Sequence, residues 1–466
     1  MKNEEKVLTM DKKKFEQYKK MMRFFATMFI VAIITAIFIF FWIKNYNDGI
    51  VFPFHYKGYW LVGAFYIFFF IMFIYIYGGM SYGYLKNSNI IFSQELSLIC
   101  ANVLIYLETV LLSAKFVSIL PMMEMTLTQG VVIAAYSFCM DKLFKKMFPP
   151  HKITVLYQQY DPSDMLRKVR ARNDRYRIKD VVSVDREWDE IVGIIDQSEA
   201  IMIYDVHSEL RNKIVKYCYE KDVRLYITPK ISDVLIRSSE NIHLFDSPLL
   251  LLRNNGLSFE EKLIKRLIDI LVSLVVIVVT SPFMLIIAIA IKAYDGGPVF
   301  FKQKRCTLNG KVFEIHKFRS MIVDAEKEGL SVPASEQDPR ITPVGNIIRA
   351  TRLDELPQIF DILSGNMSLV GPRPERVEHV EKYTKDIPEF AYRLKVKGGL
   401  TGYAQIFGKY NTTAYDKLKL DLMYVQNYSI LLDIKLILMT IKIIFMKEST
   451  EGFDEKQISE IQSREK

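Results

Sequence analysis

Long apolar runs divide the chain into two hydrophobic regions separated by a polar one. The first region holds four successive runs, and we predict a membrane-spanning helix at each, over residues 24–43, 59–77, 90–112 and 116–140. Glu95 and Glu108 interrupt the third run, so its ends are harder to place than those of the first two. Basic residues flank the set, at Lys12, Lys13, Lys14, Lys19, Lys20 and Arg23 before it and at Lys142, Lys145 and Lys146 after it. Four spans with basic flanks favour a cytoplasmic location for both ends.

The second hydrophobic region opens with an apolar stretch over residues 267–291. As a straight helix it would extend about 37 Å, more than the roughly 30 Å hydrocarbon core of a bilayer. However, Ser281-Pro282 lies near its middle, and basic residues stand at both ends. Two interpretations remain open: an ordinary kinked membrane span, and a re-entrant helix at 265–292 that enters and leaves on the cytoplasmic side. We assign Lys265, Arg266, Asp269, Ser281 and Pro282 to this re-entrant helix.

Between the two regions, short apolar runs alternate with polar stretches of helical character. The runs cover residues 153–157, 181–184, 201–205 and 224–227, which is typical of a small parallel α/β domain. Gly193 is the only glycine between Gly130 and Gly256, so no glycine-rich turn can approach a pyrophosphate. We therefore predict a Rossmann-like domain without a bound nucleotide.

Composition narrows the class of protein. Of 466 residues, 50% are hydrophobic, and the formal net charge of +9 suits contact with an anionic membrane surface. No nucleic-acid motif accompanies this charge, so we expect no nucleic-acid partner. The four cysteines and six histidines are scattered, which indicates neither a disulfide framework nor a zinc site.

Candidate chemistry concentrates around Asp354 and Glu355. Asp354 is suited to cap a helix that runs to about Ser364 and ends at Gly365, and alone this would favour a structural role. A helix N-terminus is also a natural phosphate site. Three arginines lie nearby in sequence, so we expect phosphate binding by Arg352, Arg373 and Arg376.

Two further basic segments extend this set. Pro372 and Pro374 fix the backbone on both sides of Arg373, which would present its guanidinium rigidly to a phosphate. Lys317 and Arg319 alternate with apolar residues, so they would project from one face of a strand toward the same pocket.

A separate prediction concerns the start of the re-entrant helix. Lys265 and Asp269 are four residues apart, which predicts a contact between them on the helix surface. We expect them, with Arg266, to anchor the helix at the lipid headgroups.

Several ordered motifs now identify a resemblance. They are Lys265-Arg266-Leu267-Ile268-Asp269, Lys317-Phe318-Arg319-Ser320-Met321, Thr351-Arg352-Leu353-Asp354-Glu355-Leu356-Pro357-Gln358, Ser368-Leu369-Val370-Gly371-Pro372-Arg373-Pro374, Gly399-Leu400-Thr401-Gly402-Tyr403-Ala404-Gln405, and Asp421 with Tyr424-Val425. With them, the region over residues 262–445 resembles the bacterial sugar transferases, the monotopic phosphoglycosyl transferases. Tyr403 stands where related sequences often have tryptophan, and Phe407 interrupts a polar pattern common in the family.

The resemblance implies an activity and its participants. Asp354 would be the nucleophile on a UDP-sugar, with Glu355 as a metal ligand or as an orienting group, and Mg²⁺ bound at Asp354 and Glu355. UMP would be released, and polyprenyl phosphate would accept the sugar phosphate from a covalent aspartyl intermediate. This is the initiating step of exopolysaccharide, capsule or O-antigen synthesis, at the cytoplasmic face of the bacterial inner membrane. A homodimer is a further expectation.

The resulting fold class is membrane α plus α/β. We expect a four-helix transmembrane bundle (1–148), a Rossmann-like domain (149–252) and a mostly α-helical catalytic domain (253–466) that carries the re-entrant helix. The apolar segment 430–446 fits either an interfacial helix or a core helix.

Three rival functions remain at this point. One is a polytopic transporter or scaffold with five true spans, which would place the C-terminal domain outside the cell. The second is a nucleotide-sugar oxidoreductase built on the α/β domain, and the third is an inactive transferase.

Overall fold

The protein is described by a computed structural model that covers residues 16–252, 256–323, 325, 338–409 and 412–444. The lysines at positions 12–14, the start of the predicted catalytic domain at 253–255 and the residues after 444 lie outside the described residues. The chain forms two compact units, Met1–Thr228 and Pro229–Lys466.

Four helices open the first unit and pack as a closed bundle. Each contacts the next in the chain, and the fourth returns to the first. The helices are α1 (Lys19–Asn45), α2 (Lys57–Tyr77), α3 (Asn87–Ser113) and α4 (Leu120–Met147). By length and composition, α1, α2 and α3 could cross a membrane, whereas α4 is equally long but less apolar. The predicted four-helix bundle is confirmed.

The interior of the bundle contains a polar network. The Gln129 amide donates to the Tyr66 hydroxyl at 2.9 Å and to the carbonyl of Ile34 at 3.0 Å. Asn102 in turn donates to the Gln129 side-chain oxygen at 3.0 Å. Because a buried polar group costs free energy unless it is hydrogen-bonded, these bonds fix how α1 to α4 align.

A four-stranded sheet follows the bundle, with all strands parallel in the order β2-β1-β3-β4. Ile153, Val155 and Leu156 of the inner strand β1 are fully buried, because helices cover both faces of a parallel sheet. The predicted parallel α/β domain is confirmed. Its elements are β1 (His151–Tyr157), α5 (Ser163–Arg170), β2 (Tyr176–Ser183), α6 (Trp188–Asp196), β3 (Ala200–Tyr204), α7 (Ser208–Glu220) and β4 (Arg224–Ile227).

The second unit is mainly helical. It begins with α8 (Ile231–Arg237), whose Ile231 and Val234 pack against Phe390, Leu418 and Leu422. The two units therefore divide before α8, earlier in the chain than the 252/253 boundary placed from sequence. The remaining elements are β5 (Glu240–Leu244), β6 (Ser247–Leu251), α9 (Phe259–Asp295), β7 (Phe300–Cys306), β8 (Val312–Phe318), α10 (Pro343–Ala350), α11 (Gln358–Leu363), β9 (Ser368–Val370), α12 (Val377–Asp386), β10 (Gly399–Thr401), α13 (Tyr403–Phe407), α14 (Ala414–Gln426) and α15 (Ile430–Ile444).

The predicted re-entrant segment lies in α9, one helix of 37 residues that continues through Pro282. Proline has no N–H, so the carbonyl of Val278 loses its usual donor four residues ahead. The Ser281 hydroxyl donates to this carbonyl instead, at 3.1 Å. This bond explains how the helix continues through the proline without a break. A bend at Pro282 and the re-entrant path remain predictions.

The first turns of α9 dock onto the catalytic domain, which corrects the predicted headgroup contacts. Lys265 is 6% exposed and its ammonium donates to Asp433 at 2.5 Å and to Tyr424 at 3.2 Å. Asp269 is 3% exposed and accepts hydrogen bonds from the Ser368 side chain and from a backbone amide on β9. The predicted Lys265–Asp269 contact is therefore wrong, and neither residue reaches the headgroups, because both are buried against the domain.

Candidate active site

The predicted site residues Asp354 and Glu355 lie in a 3₁₀ turn, Leu353–Glu355, and not at the cap of a helix. The following helix α11 begins at Gln358, after Pro357, and has no side-chain cap. The capping role predicted for Asp354 is therefore wrong. Arg352 starts the turn with a left-handed backbone (φ 56°), which turns the chain so that both acids follow in a tight turn.

Glu355 is held by two cations from separate segments. The ammonium of Lys317, on β8, donates to its Oε1 at 2.8 Å, and the guanidinium of Arg373 makes a fork on both oxygens, with the longer bond at 3.3 Å. Burial acts to raise the pKa of Glu355, but the charges of Arg373 and Lys317 outweigh it, so the pKa lies well below its ordinary value. Glu355 is thus a fixed, ionised carboxylate.

Asp354 has a different environment from its neighbour. Among the described residues its carboxylate makes no hydrogen bond and no ion pair. Burial raises its pKa, the charge of Lys317 opposes this, and the charge of Glu355 adds to it. The two adjacent acids are therefore distinct: Glu355 is occupied by cations, and the oxygens of Asp354 are available to a substrate.

The loop that carries Arg373 is held in place by its backbone. Gly371 lies so close to the carbonyl of Lys397 that no Cβ would fit. Its amide donates to the carbonyl of Thr401 at 2.8 Å, and the carbonyl of Pro372 accepts from the amide of Gly399 at 2.9 Å. The two prolines and these contacts confirm that the arginine is rigidly presented.

A buried network of ion pairs supports the loop that carries Arg373. The guanidinium of Arg393 donates to the backbone carbonyl of Arg373 and pairs with Asp421, each at 2.8 Å. Both side chains are 1% exposed. Glu375, two residues after Arg373, pairs with Lys417 and lies 3.7 Å from Arg393. Burial acts to raise the pKa of Glu375, but Lys417 and Arg393 lower it to about 2.

Arg305 is a site residue that the sequence reasoning missed. It is the penultimate residue of β7, and its backbone pairs with that of Arg376. Its side chain lies 3.9 Å from Glu375 and its Nε has no acceptor. Burial first, and then the charge of Arg373, lower its pKa to about 10. No local pattern marks this residue, because β7 reaches the site only through contacts between distant segments.

The other predicted phosphate ligands are placed differently. Arg319 is bound to Asp295 at the end of α9, with one bond of 2.6 Å, and its Nε donates to the carbonyl of Pro298 at 2.7 Å. Lys317 and Arg319 therefore do not share a pocket as predicted, because β8 ends at Phe318 between them. Arg376 begins α12 beside Arg305, and phosphate binding by Arg319, Arg352 and Arg376 remains a prediction.

A metal ion would have few protein ligands here. Within the described ranges, no group of three or more His, Cys, Asp or Glu side chains converges as a metal site. Glu355 is bound by Lys317 and Arg373, so Asp354 is the carboxylate here that could bind a Mg²⁺ ion arriving with a diphosphate, since Mg²⁺ commonly binds one or two carboxylates together with phosphate oxygens.

Comparison with known proteins gives a family match over this unit. The profile of the bacterial sugar transferase family matches residues 260–447. A UDP-glucose:undecaprenyl-phosphate glucose-1-phosphate transferase of Klebsiella pneumoniae is 37% identical over 272 residues, which cover 57% of each chain. A UDP-N-acetylgalactosamine-undecaprenyl-phosphate N-acetylgalactosaminephosphotransferase of Aeromonas hydrophila is 38% identical over 231 residues, 49% of this chain and 53% of the relative.

A shorter relative is covered almost completely. The sugar transferase EpsL of Bacillus subtilis is 36% identical over 189 residues, which are 41% of this chain and 91% of the relative. By contrast, the chain spans just over half the length of the two larger relatives.

Proposed function

Because the chain belongs to the bacterial sugar transferase family, we propose that it transfers a sugar 1-phosphate from a UDP-sugar to undecaprenyl phosphate and releases UMP. The observation that carries this proposal is the pair of unlike acids at the site. Among the described residues no group binds the oxygens of Asp354, and the adjacent Glu355 is fixed by Lys317 and Arg373. An unpaired carboxylate beside fixed cations is suited to attack an anionic phosphorus centre.

In the first step, an Asp354 carboxylate oxygen attacks the β-phosphorus of the UDP-sugar. The bond from this phosphorus to the oxygen bridging the two phosphates breaks, and UMP leaves with the electron pair. The product is an aspartyl phosphosugar on Asp354. Two half-reactions through a covalent intermediate predict ping-pong kinetics.

In the second step, a phosphate oxygen of undecaprenyl phosphate attacks the same phosphorus. The acyl–phosphate bond breaks, which restores the Asp354 carboxylate and forms undecaprenyl diphosphosugar. No net proton or electron transfer to a further reactant is needed.

Cations must offset the repulsion between Asp354 and the diphosphate. Arg373 presents a planar fork, and Arg305 carries a buried guanidinium whose Nε lacks an acceptor. Lys317 and Arg373 can exchange their contact with Glu355 for a phosphate oxygen. Mg²⁺ held by Asp354 with the diphosphate would supply further neutralising charge when bound.

The test is UMP release from a panel of UDP-sugars by the full chain with undecaprenyl phosphate and Mg²⁺. We expect Asp354→Asn to abolish turnover and to form no radiolabelled phosphosugar adduct, whereas wild type forms an adduct that undecaprenyl phosphate discharges. Glu355→Gln is the matched variant, and we expect it to slow turnover but to retain the adduct. Normal turnover by Asp354→Asn would disprove the assignment of the nucleophile.

The pathway and the membrane side belong to the same proposal. We place the reaction at the initiating step of exopolysaccharide, capsule or O-antigen assembly, on the cytoplasmic face of the inner membrane. The two larger relatives are named for different sugars, glucose and N-acetylgalactosamine, so the panel of donors must include both.

A further inference from the structure

Lys397 is a half-buried lysine that lies apart from Asp354 and Glu355. Among the described residues, its ammonium makes no hydrogen bond and no ion pair, and the acid whose charge reaches it is Asp269. Its nearest charged neighbour is Arg266: a methyl group built on Gly365 would lie 3.6 Å from the Arg266 guanidinium and 3.8 Å from the Lys397 ammonium. Burial first, and then the charge of Arg266, lower the pKa of Lys397; the charge of Asp269 opposes this effect, and that of Lys311 adds to it. Cations held this close repel one another unless an anion lies between them.

These cations are fixed by the fold of three segments. Thr307 is 3% exposed. Its hydroxyl donates to the carbonyl of Asn366 at 3.1 Å and accepts from the amide of Gly398 at 3.0 Å. It thereby ties together the turn that bears Lys311, the loop at Gly365 and the segment that bears Lys397. The backbone that carries Lys311 and Lys397 is thus held by the fold, while the Lys311 side chain itself is exposed.

The cluster lies where the long helix α9 begins its apolar stretch. Arg266 directly precedes Leu267, which is 57% exposed, and its guanidinium is fixed by the carbonyls of Ile362 and Leu363, each at 2.6 Å. Because α9 is long and apolar enough to enter a membrane, we expect Arg266, just before its apolar stretch, to lie at the level of the lipid headgroups. Phosphate is the anion that is abundant at this level.

We propose that Arg266, Lys311 and Lys397 form a binding site for the phosphate of an anionic phospholipid headgroup. The site is separate from the reaction centre, because Gly365 follows α11 whereas Asp354 precedes it, and the 6 residues of α11 rise about 9 Å. A bulk phospholipid is the fitting occupant, since the acceptor phosphate must reach Asp354 at the opposite end of α11. The role of the site is to seat the domain on the leaflet, and the choice of a bulk phospholipid over the acceptor lipid rests on the proposed function.

The experiment uses the full chain in nanodiscs that contain equal amounts of phosphatidylglycerol and phosphatidylcholine. After mild detergent extraction, the phospholipids that remain bound are quantified by mass spectrometry. We expect each lysine that is removed to lower the retained phosphatidylglycerol about fivefold, and the double variant Lys397→Gln, Lys311→Gln removes both. Lys385→Gln, an exposed lysine on α12, is the matched control and should retain as much as wild type.

Each remaining result has a defined meaning. Lys397→Arg keeps the charge and should keep the lipid, which separates loss of charge from misfolding. Equal retention by the double variant and wild type would overturn the site. Full displacement of the lipid by millimolar inorganic phosphate would overturn the lipid assignment. The assignment would also be overturned if the lysine substitutions lowered the retention of undecaprenyl phosphate alone. UMP release, measured on the same samples, reports the proposed reaction independently.

Discussion

At the scale of single residues, the reaction centre depends on how Asp354 and Glu355 differ. They are neighbours in the chain, yet one is unpaired and the other is held by Lys317 and Arg373. Adjacent residues in a turn point in different directions, so two acids can have separate roles. The difference can be measured through the pH dependence of the rate.

The first residue-scale prediction concerns the acidic limb of the pH–rate profile. Attack requires ionised Asp354, so the limb follows its pKa. The charge of Glu355 raises this pKa and that of Lys317 lowers it. We therefore expect Glu355→Gln to move the limb of kcat to lower pH and Lys317→Gln to move it to higher pH, each by about one pH unit.

Exposed Lys385→Gln serves as the control and should leave the limb in place. If both variants shifted the limb in the same direction, a group other than Asp354 would control the rate.

The second prediction concerns Arg393 as a positioning residue. Its guanidinium holds the carbonyl of Arg373 and Asp421 at the same time. One terminal nitrogen of the guanidinium contacts both acceptors while the other lies 3.7 Å from Glu375, and lysine keeps the charge but lacks this planar group. We expect Arg393→Lys to lower kcat about tenfold, equivalent to about 1.4 kcal/mol in the barrier, with a smaller effect on KM for undecaprenyl phosphate.

The exposed pair of Arg167 with Asp164 offers a control, because Arg167→Lys makes the same change on the surface. Thermal unfolding of both variants separates positioning from stability. An unchanged kcat in a folded Arg393→Lys variant would show that Arg373 does not need this support.

At the scale of elements, the long helix α9 combines a membrane segment with a docking segment. Ser281 supplies the bond that Pro282 cannot, and the buried Lys265 and Asp269 hold the first turns on the domain. A helix end fixed in this way joins the apolar segment of α9 to the domain that carries Asp354. Its path through the membrane is the prediction that separates the transferase from the transporter interpretation.

We expect both ends of α9 to lie on one side of the membrane. Lys262 and Lys302 are exposed and flank the apolar stretch, so cysteines at both positions should react with an impermeant reagent from the cytoplasmic side only. The four native cysteines are replaced by serine for this purpose. A third cysteine at Lys385 controls for the side on which the domain lies, and labelling of positions 262 and 302 from opposite sides would establish a true span.

At the scale of the whole molecule, the catalytic unit begins earlier than composition suggests. The short helix α8 belongs to it, because Ile231 and Val234 are 9% and 3% exposed and pack on Phe390, Leu418 and Leu422. The sequence placed the domain boundary at 252/253, but the apolar contacts that define the unit include residues before it.

This arrangement predicts the stability of truncated chains. A chain that begins at Pro229 retains α8, and one that begins at residue 253 lacks it. Burial of an Ile or Val side chain contributes about 1.5–3 kcal/mol, as an upper estimate. We expect the shorter chain to lose about 3 kcal/mol or more of its free energy of unfolding, measured in detergent by thermal or denaturant unfolding. The double variant Ile231→Ala, Val234→Ala in the full chain should show a similar loss, and equal stability of both truncated chains would contradict the assignment of α8.

The sequence by itself determined the elements whose signals are local. Apolar runs predicted the four-helix bundle, short alternating runs predicted the parallel sheet, and ordered motifs identified the family and the acid pair. Such signals depend on periodicity and on neighbouring residues, which a chain carries without its fold.

Only the tertiary structure decided how residues from distant segments combine. It assigned Lys317 to Glu355 and Arg319 to Asp295, joined Lys265 to Asp433, and brought Arg305 to the site. The physical reason is that a charged side chain buried by folding must find a partner wherever the chain brings one within hydrogen-bond reach. That choice is made by packing between segments far apart in sequence, so no local pattern encodes it.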